Sequence, residues 1–401
     1  MIVLNEASSY GVRRGRVHAP TVTNVWPLTD GSYPCLPRAG KSWQPRKAGL
    51  YSAWLLVLLA ALGAVSTPAW GATTLKLQTA AGGVTISGAR PTFSASLGNV
   101  NGLGVGTPSA GVTLITAGVS GGALYTTPYN LNISGAPGGS TTSVTAYVSS
   151  NFAHPAILIL ESCPINTSCT TASSFSILST NAGAPTTVIP TPGVGNNTTN
   201  TATLGLFVAN TNGAGTFSGS DSAIITFKAT NSGGQTDTVT LGLNNETVQT
   251  AVRLLLATAP GGLTISPASD FSMNYGNVNG LGIGPVAGLT IVSASGGVIY
   301  STPYLIKPSF SSFSSTTGSV KVYVSVDFVH PAILELRNAA ASGGPYTAIS
   351  KSSGAQSSLT TTAASGSSLT RYLGLFVSNV NGPTAFTGSD SATLTYTLTV
   401  P

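Results

Sequence analysis

At 401 residues the chain is long enough for two or three domains, yet only 6% of its residues are charged, against about 25% in an average soluble domain. The formal charge of +6 sits almost wholly in residues 1–71, which hold seven basic and two acidic residues, so the remainder carries only +1. A nearly neutral body has no electrostatic footprint for nucleic acid or an anionic membrane surface, and nucleic acid is excluded as a partner.

Residues 1–35 form an N-terminal extension with no evident use, and a start assigned upstream of the true one accounts for it. Residues 36–71 read as a secretory signal peptide: Lys41, Arg46 and Lys47 precede an apolar run at residues 50–65, and Ala69 and Gly71 supply the small residues of a cleavage site. Sixteen apolar-leaning residues fall short of the ~20 a spanning helix needs, so cleavage is expected and an uncleaved anchor is the alternative. Membrane contact is then confined to export. All four tryptophans also lie in this leader.

Beyond the leader the chain is written twice. "GGVTIS" from Gly82 returns as "GGLTIS" from Gly261, "GNVNGLGVG" from Gly98 as "GNVNGLGIG" from Gly276, and "LYTTPY" ending at Tyr129 as "IYSTPY" ending at Tyr304. "NFAHPAIL" and "DFVHPAIL", "LGLFVANTNG" and "LGLFVSNVNG", "FSGSDSA" and "FTGSDSA" follow in the same order. Self-similarity of this extent marks a tandem duplication, with expected domains at 72–251 and 252–401. The first copy ends in residues 231–251, which the second lacks; the stretch reads as an extra strand of domain one or as an interdomain connector, and if it completes domain one an open sheet edge is expected in domain two.

Within each copy the residues alternate as strands do. Val320, Val322, Val324 and Val326 point one way, as do Val144, Ala146 and Val148, and the period of two means a half-buried strand. "LKLQTA", "GVTLITA", "AIITFKAT", "TVTLGL", "GLTIVSA" and "TLTYTLTV" are likewise short and β-branched or aromatic, and are bounded by turn residues. With no helical period outside the leader, the expected fold is all-β: two homologous antiparallel β-sandwich (Ig-like) domains.

Cys163 and Cys169 are separated by five loop-type residues and predict one local disulfide, worth roughly 2 kcal/mol by loop entropy. Zinc needs two further ligands that the sequence does not place nearby. The second copy has no matching cysteines, so the bridge is a staple of the first copy.

Several shared motifs invite chemistry. The glycine stretch lacks the following helix of a dinucleotide loop and the lysine of a P-loop, and no cofactor is expected. Asn101 with Gly102 and Asn279 with Gly280 predict tight turns at positive φ, and Asn212 with Gly213 and Asn381 with Gly382 repeat the signal. His154 and His330, each before a proline, would need Asp221 or Asp390 and a serine for hydrolysis, and no nucleophile elbow is present. Asp221 and Asp390, in Gly-Ser-Asp-Ser-Ala, predict turn-fixing bonds to backbone amides; calcium is the sharper alternative, but its six to eight oxygens are hard to assemble. Glu161 and Glu335 match only approximately, too loosely for a glycosidase pair. Tyr125, Tyr129, Tyr300 and Tyr304, with Phe207 and Phe376, are core residues or a sugar-stacking platform.

Few titratable groups, no cofactor motif and no charged patch point to an exported, non-enzymatic structural or adhesive protein, secreted, periplasmic or at the cell surface. Its partner would be a glycan or a surface protein. The rivals are a carbohydrate-binding module, a fibre subunit that self-associates by exchanging a strand at the edge of the second domain, and a hydrolase using His154 or His330.

Overall fold

A computed structural model of the chain describes residues 2–6, 72–135, 141–195, 197–267, 271–381 and 385–401. The expected signal peptide, and the extension apart from residues 2–6, lie outside the described residues. What is described is all-β: twenty-five strands and one 3₁₀ turn at Ala172–Ser174, with no helix long and apolar enough to cross a membrane.

The strands form four sheets around two hydrophobic cores. One core gathers residues from Leu75 to Val248, the other from Leu254 to Tyr396. Each is lined by two sheets, as a sandwich requires. The alternation read from the sequence is the cause: in Thr317–Val326, Val320, Val322 and Val324 are buried, while Lys321 is exposed on the outer face.

The long strands Gly122–Ser134 and Gly297–Ser311 organise one sheet of each sandwich, and both carry a proline in mid-strand. Proline lacks the N–H that a ladder needs, so its N-side must face no partner. That is where it sits. Gly122–Ser134 pairs along one edge with Thr113–Ile115 as far as Thr126 and with Thr74–Thr79 from Tyr129 onward, leaving Pro128 in the gap between them. Pro303 occupies the matching gap between Thr290–Ala294 and Ala251–Thr258. The Gly-Gly turns fold into these gaps. A Cβ on Gly83 or Gly262 would lie 2.2 Å from the carbonyl oxygen of Pro128 or Pro303, and Thr127 and Thr302 accept the amides of Val84 and Leu263 at 2.9 and 2.8 Å. Two repeated motifs, "GGVTIS" and "TTPY", are thus two halves of one contact.

The other sheet of the first sandwich runs Thr186–Val194, Thr142–Ser150, Gly219–Asn231, Thr236–Val248, Thr92–Ala95, Ser87–Ala89. The matching sheet of the second runs Ser357–Ala364, Thr317–Val326, Ala392–Thr399, Ile2–Glu6, Phe271–Met273, Ser266–Pro267. The two orders correspond strand for strand except at the fourth place. There the first copy uses its own thirteen-residue Thr236–Val248, antiparallel to Gly219–Asn231. The second uses five residues from the far N-terminus, parallel to Ala392–Thr399 and antiparallel to Phe271–Met273. The edge expected to be open in the second copy is therefore a slot between two strands, filled by Ile2–Glu6 running in the reverse direction.

Candidate functional site

The glycine stretch binds its own protein. The Tyr125 hydroxyl donates to the Asn101 carbonyl and accepts the Asn101 amide, both at 3.0 Å, and Tyr300 does the same to Asn279 at 2.9 and 3.0 Å. The Asn101 side-chain oxygen then accepts the amides of Leu103 and Val105 at 3.1 Å. That of Asn279 accepts Leu281 and Ile283 at 3.0 and 3.1 Å. These amides, which a phosphate loop would aim at a ligand, are spent on an asparagine carbonyl.

The expectation of positive φ at Asn101 with Gly102 and at Asn279 with Gly280 is corrected. Left-handed backbone falls instead on Gly104 and Gly282, at φ 71° and 74°. Gly102 and Gly280 are needed for close approach: a Cβ would lie 2.6 Å from the Cα of Asn210 in one copy and of Asn379 in the other. Gly213 does take positive φ, at 97°, while Gly382 lies outside the described residues.

His154 and Asp221 meet, as do His330 and Asp390. Each imidazole Nδ1 lies 3.0 Å from the carboxylate. Asp221 also accepts the amides of Ala153, His154 and Ser222 at 2.8–3.0 Å; Asp390 accepts those of Val329, His330 and Ser391 at 2.8–3.0 Å. Burial works to raise both carboxyl pKa values, but these hydrogen bonds outweigh it and hold them below the usual range. Phe217 and Phe386 stack on the two imidazoles at 3.7 and 3.8 Å between ring centres. Among the described residues no serine hydroxyl hydrogen-bonds either histidine. The pair clamps the loop of residues 151–155, or 327–331, onto the start of the last shared strand, and no group of three or more metal-ligating side chains forms among the described residues.

Tyr125, Tyr129, Tyr300 and Tyr304 are core residues, each at most 2% exposed, so the alternative of a sugar-stacking row formed by them is corrected. Tyr129 packs against Phe227, and in the second copy Tyr304 packs against Tyr396, whose hydroxyl donates to it at 3.1 Å. Burial pushes the Tyr304 phenol up to about 12. Glu161 and Glu335 occupy different registers: Glu161 faces Gly205, whereas Glu335 faces Phe376 and pairs with Arg337 at 2.6 Å. Cys163 and Cys169 are bonded, tying the end of Leu158–Cys163 to the following loop.

The feature missed in the sequence is the far end of the slot. In the first copy Glu246 and Val248 are buried opposite Asp221 and Gly219, and both Glu246 carboxylate oxygens accept the Leu97 amide at 2.9–3.0 Å. Burial outweighs those bonds and pushes the Glu246 carboxyl up to about 7. In the second copy the inserted strand begins opposite Ala392, and beyond it lies a cleft of about 770 Å³. Residues 273–281, 378–381 and 385–390 line it, with Phe328, Ile333, Leu334, Leu375 and Val377 on its floor. These are the counterparts of the residues that enclose Glu246 and Val248.

No protein family matches the chain, and no curated protein does. Among solved structures it is similar to the CupB6 tip adhesin from Pseudomonas aeruginosa, at 10% identity over 82% of this chain and 96% of that one, with a TM-score of 0.27. It is also similar to a chain of a chaperone–tip adhesin complex of CFA/I fimbriae biogenesis, at 12% identity over 82% and 91%, with a TM-score of 0.19. At these scores the likenesses assign the chain to no family.

Proposed function

We propose that this is an exported, non-enzymatic structural or adhesive protein of the cell surface or extracellular space, built from β-sandwich domains at 72–251 and 252–401. Its second domain joins it to a fibre by accepting a strand from another chain. The observation that carries this reading is the fourth place of the sheet: covalently filled in the first copy, but in the second filled by a short, reversed strand that leaves 770 Å³ of the slot uncovered. An interior strand position offers backbone hydrogen bonds on both sides, the strongest form of recognition by strand addition. Ile2–Glu6 precedes the leader, so cleavage at the expected site removes it and exposes the slot to another strand.

A fluorescent peptide with the sequence of Thr236–Val248 tests this on a chain trimmed of residues 1–71. Saturable 1:1 binding that raises the melting temperature of the second sandwich is expected. A trimmed chain that ignores the peptide and stays monomeric at high concentration overturns the reading.

A further inference from the structure

At the end where Thr236–Val248 leaves its sheet, the first copy holds a loop of the second, the connection between Gly297–Ser311 in one sheet and Thr317–Val326 in the other. The Thr211 carbonyl accepts the Ser312 amide at 2.9 Å, and the Gly213 amide donates to the Phe313 carbonyl at 2.9 Å. The Asn212 side chain donates to the Phe310 carbonyl at 2.8 Å and accepts the Phe313 amide at 3.2 Å. Ser311 and Ser312 are buried although they form the tip of the turn, with Ser312 at a φ of 67°. Gly102 lets this happen, since a Cβ there would lie 2.6 Å from the Ser311 hydroxyl.

Only Gln249 and Thr250 separate Thr236–Val248 from Ala251–Thr258, the first strand of the second core's sheets. One covalent unit starting at residue 236 therefore plugs the slot and seats the loop. The second copy repeats the seat: Asn279 and Gly280 match Asn101 and Gly102, and Val380 and Asn381 match Thr211 and Asn212. Here the seat is exposed and apolar. Leu281 is 73% exposed, Ile283 67% and Val380 43%, and Leu281 and Val380 rim the cleft that continues into the slot. An apolar rim around an open cleft is the character of a docking surface.

We infer that this end of the second copy docks a folded β-sandwich subunit, which inserts its leading strand into the slot and seats an inter-sheet loop on residues 279–281 and 380–381. The junction between the two copies is the covalent template for that contact. The inference rests on the strand-accepting reading and adds that the partner is a folded module held at two places. Such a head-to-tail contact does not close on itself and continues as a fibre.

A chain trimmed of residues 1–71 and lengthened at its C-terminus by a second copy of its own residues 236–401 tests both layers. The expected result is a higher melting temperature for the original second sandwich, and an added module that tumbles with the rest of the molecule in ¹⁵N relaxation. Leu281→Asp with Val380→Asp, both at exposed positions, should release the added module to tumble independently while the melting temperature stays raised. No rise in melting temperature overturns strand acceptance. A rise with independent tumbling in the unsubstituted lengthened chain, or tumbling unaffected by the two aspartates, overturns docking alone.

Discussion

The two copies share their glycine stretches, their clamps and most of their cores, and they part most sharply at one strand. In the first, Thr236–Val248 completes the sheet from Gly219 to Thr230, with a bulge between Asp221 and Ala223, and buries Val239, Leu241, Leu243 and Val248. In the second, the same place receives five residues in the opposite direction, opposite Ala392 to Tyr396 only. The copies also differ in the chemistry under the slot. Leu97, whose amide meets Glu246, is replaced by Tyr275, whose hydroxyl donates to the Leu373 carbonyl at 2.9 Å.

The sharpest test of this contrast is Glu246. Its folded pKa of about 7 lies above its ordinary value of 4.5, so the folded state binds the extra proton. The associated stability is full below pH 4.5 and is lost as pH rises through 7. The change is on the order of 3 kcal/mol, at about 1.4 kcal/mol per pH unit. Denaturant unfolding of the first sandwich between pH 4.5 and 7.5 should show this loss, and Glu246→Gln should flatten the profile; a profile unchanged by the substitution breaks the account.

The clamps are expected to behave alike. Asp221→Asn and Asp390→Asn each remove a charged acceptor of three amides and an imidazole, and each should cost its own sandwich about 2 kcal/mol at neutral pH. Both carboxyls have depressed pKa values, so this stability is present above pH 3.8 and is lost as pH falls through the folded values. Unequal losses would show that the closing strand supports the clamp beside it. The smallest effect lies in the cores. Tyr396→Phe leaves the Tyr304 hydroxyl without its donor and should cost about 1 kcal/mol, read as a melting shift of the second sandwich.

Much of the architecture was legible. Alternation at residues 319–326 and 143–150 gave strands because period two is a local property of the chain. The disulfide was legible because six residues of separation leave little choice of geometry. The tyrosines were not, since Tyr125 and Tyr300 look the same in sequence whether they face a sugar or an asparagine backbone. Gly102 failed for a related reason: after asparagine it signals a turn, but what it serves is the approach of Asn210, which is more than a hundred residues away.

By itself the sequence determined the strand content and the scarcity of charge, because each is carried by residue type and short-range spacing. Tertiary structure decided which strands became neighbours. Only there does the proline at 128 meet the glycine at 83, the histidine at 154 find its aspartate at 221, and one sheet position prove to be filled in opposite directions in the two copies. Backbone hydrogen bonds carry no side-chain signature, so a slot between two strands is invisible until both of its walls are in place.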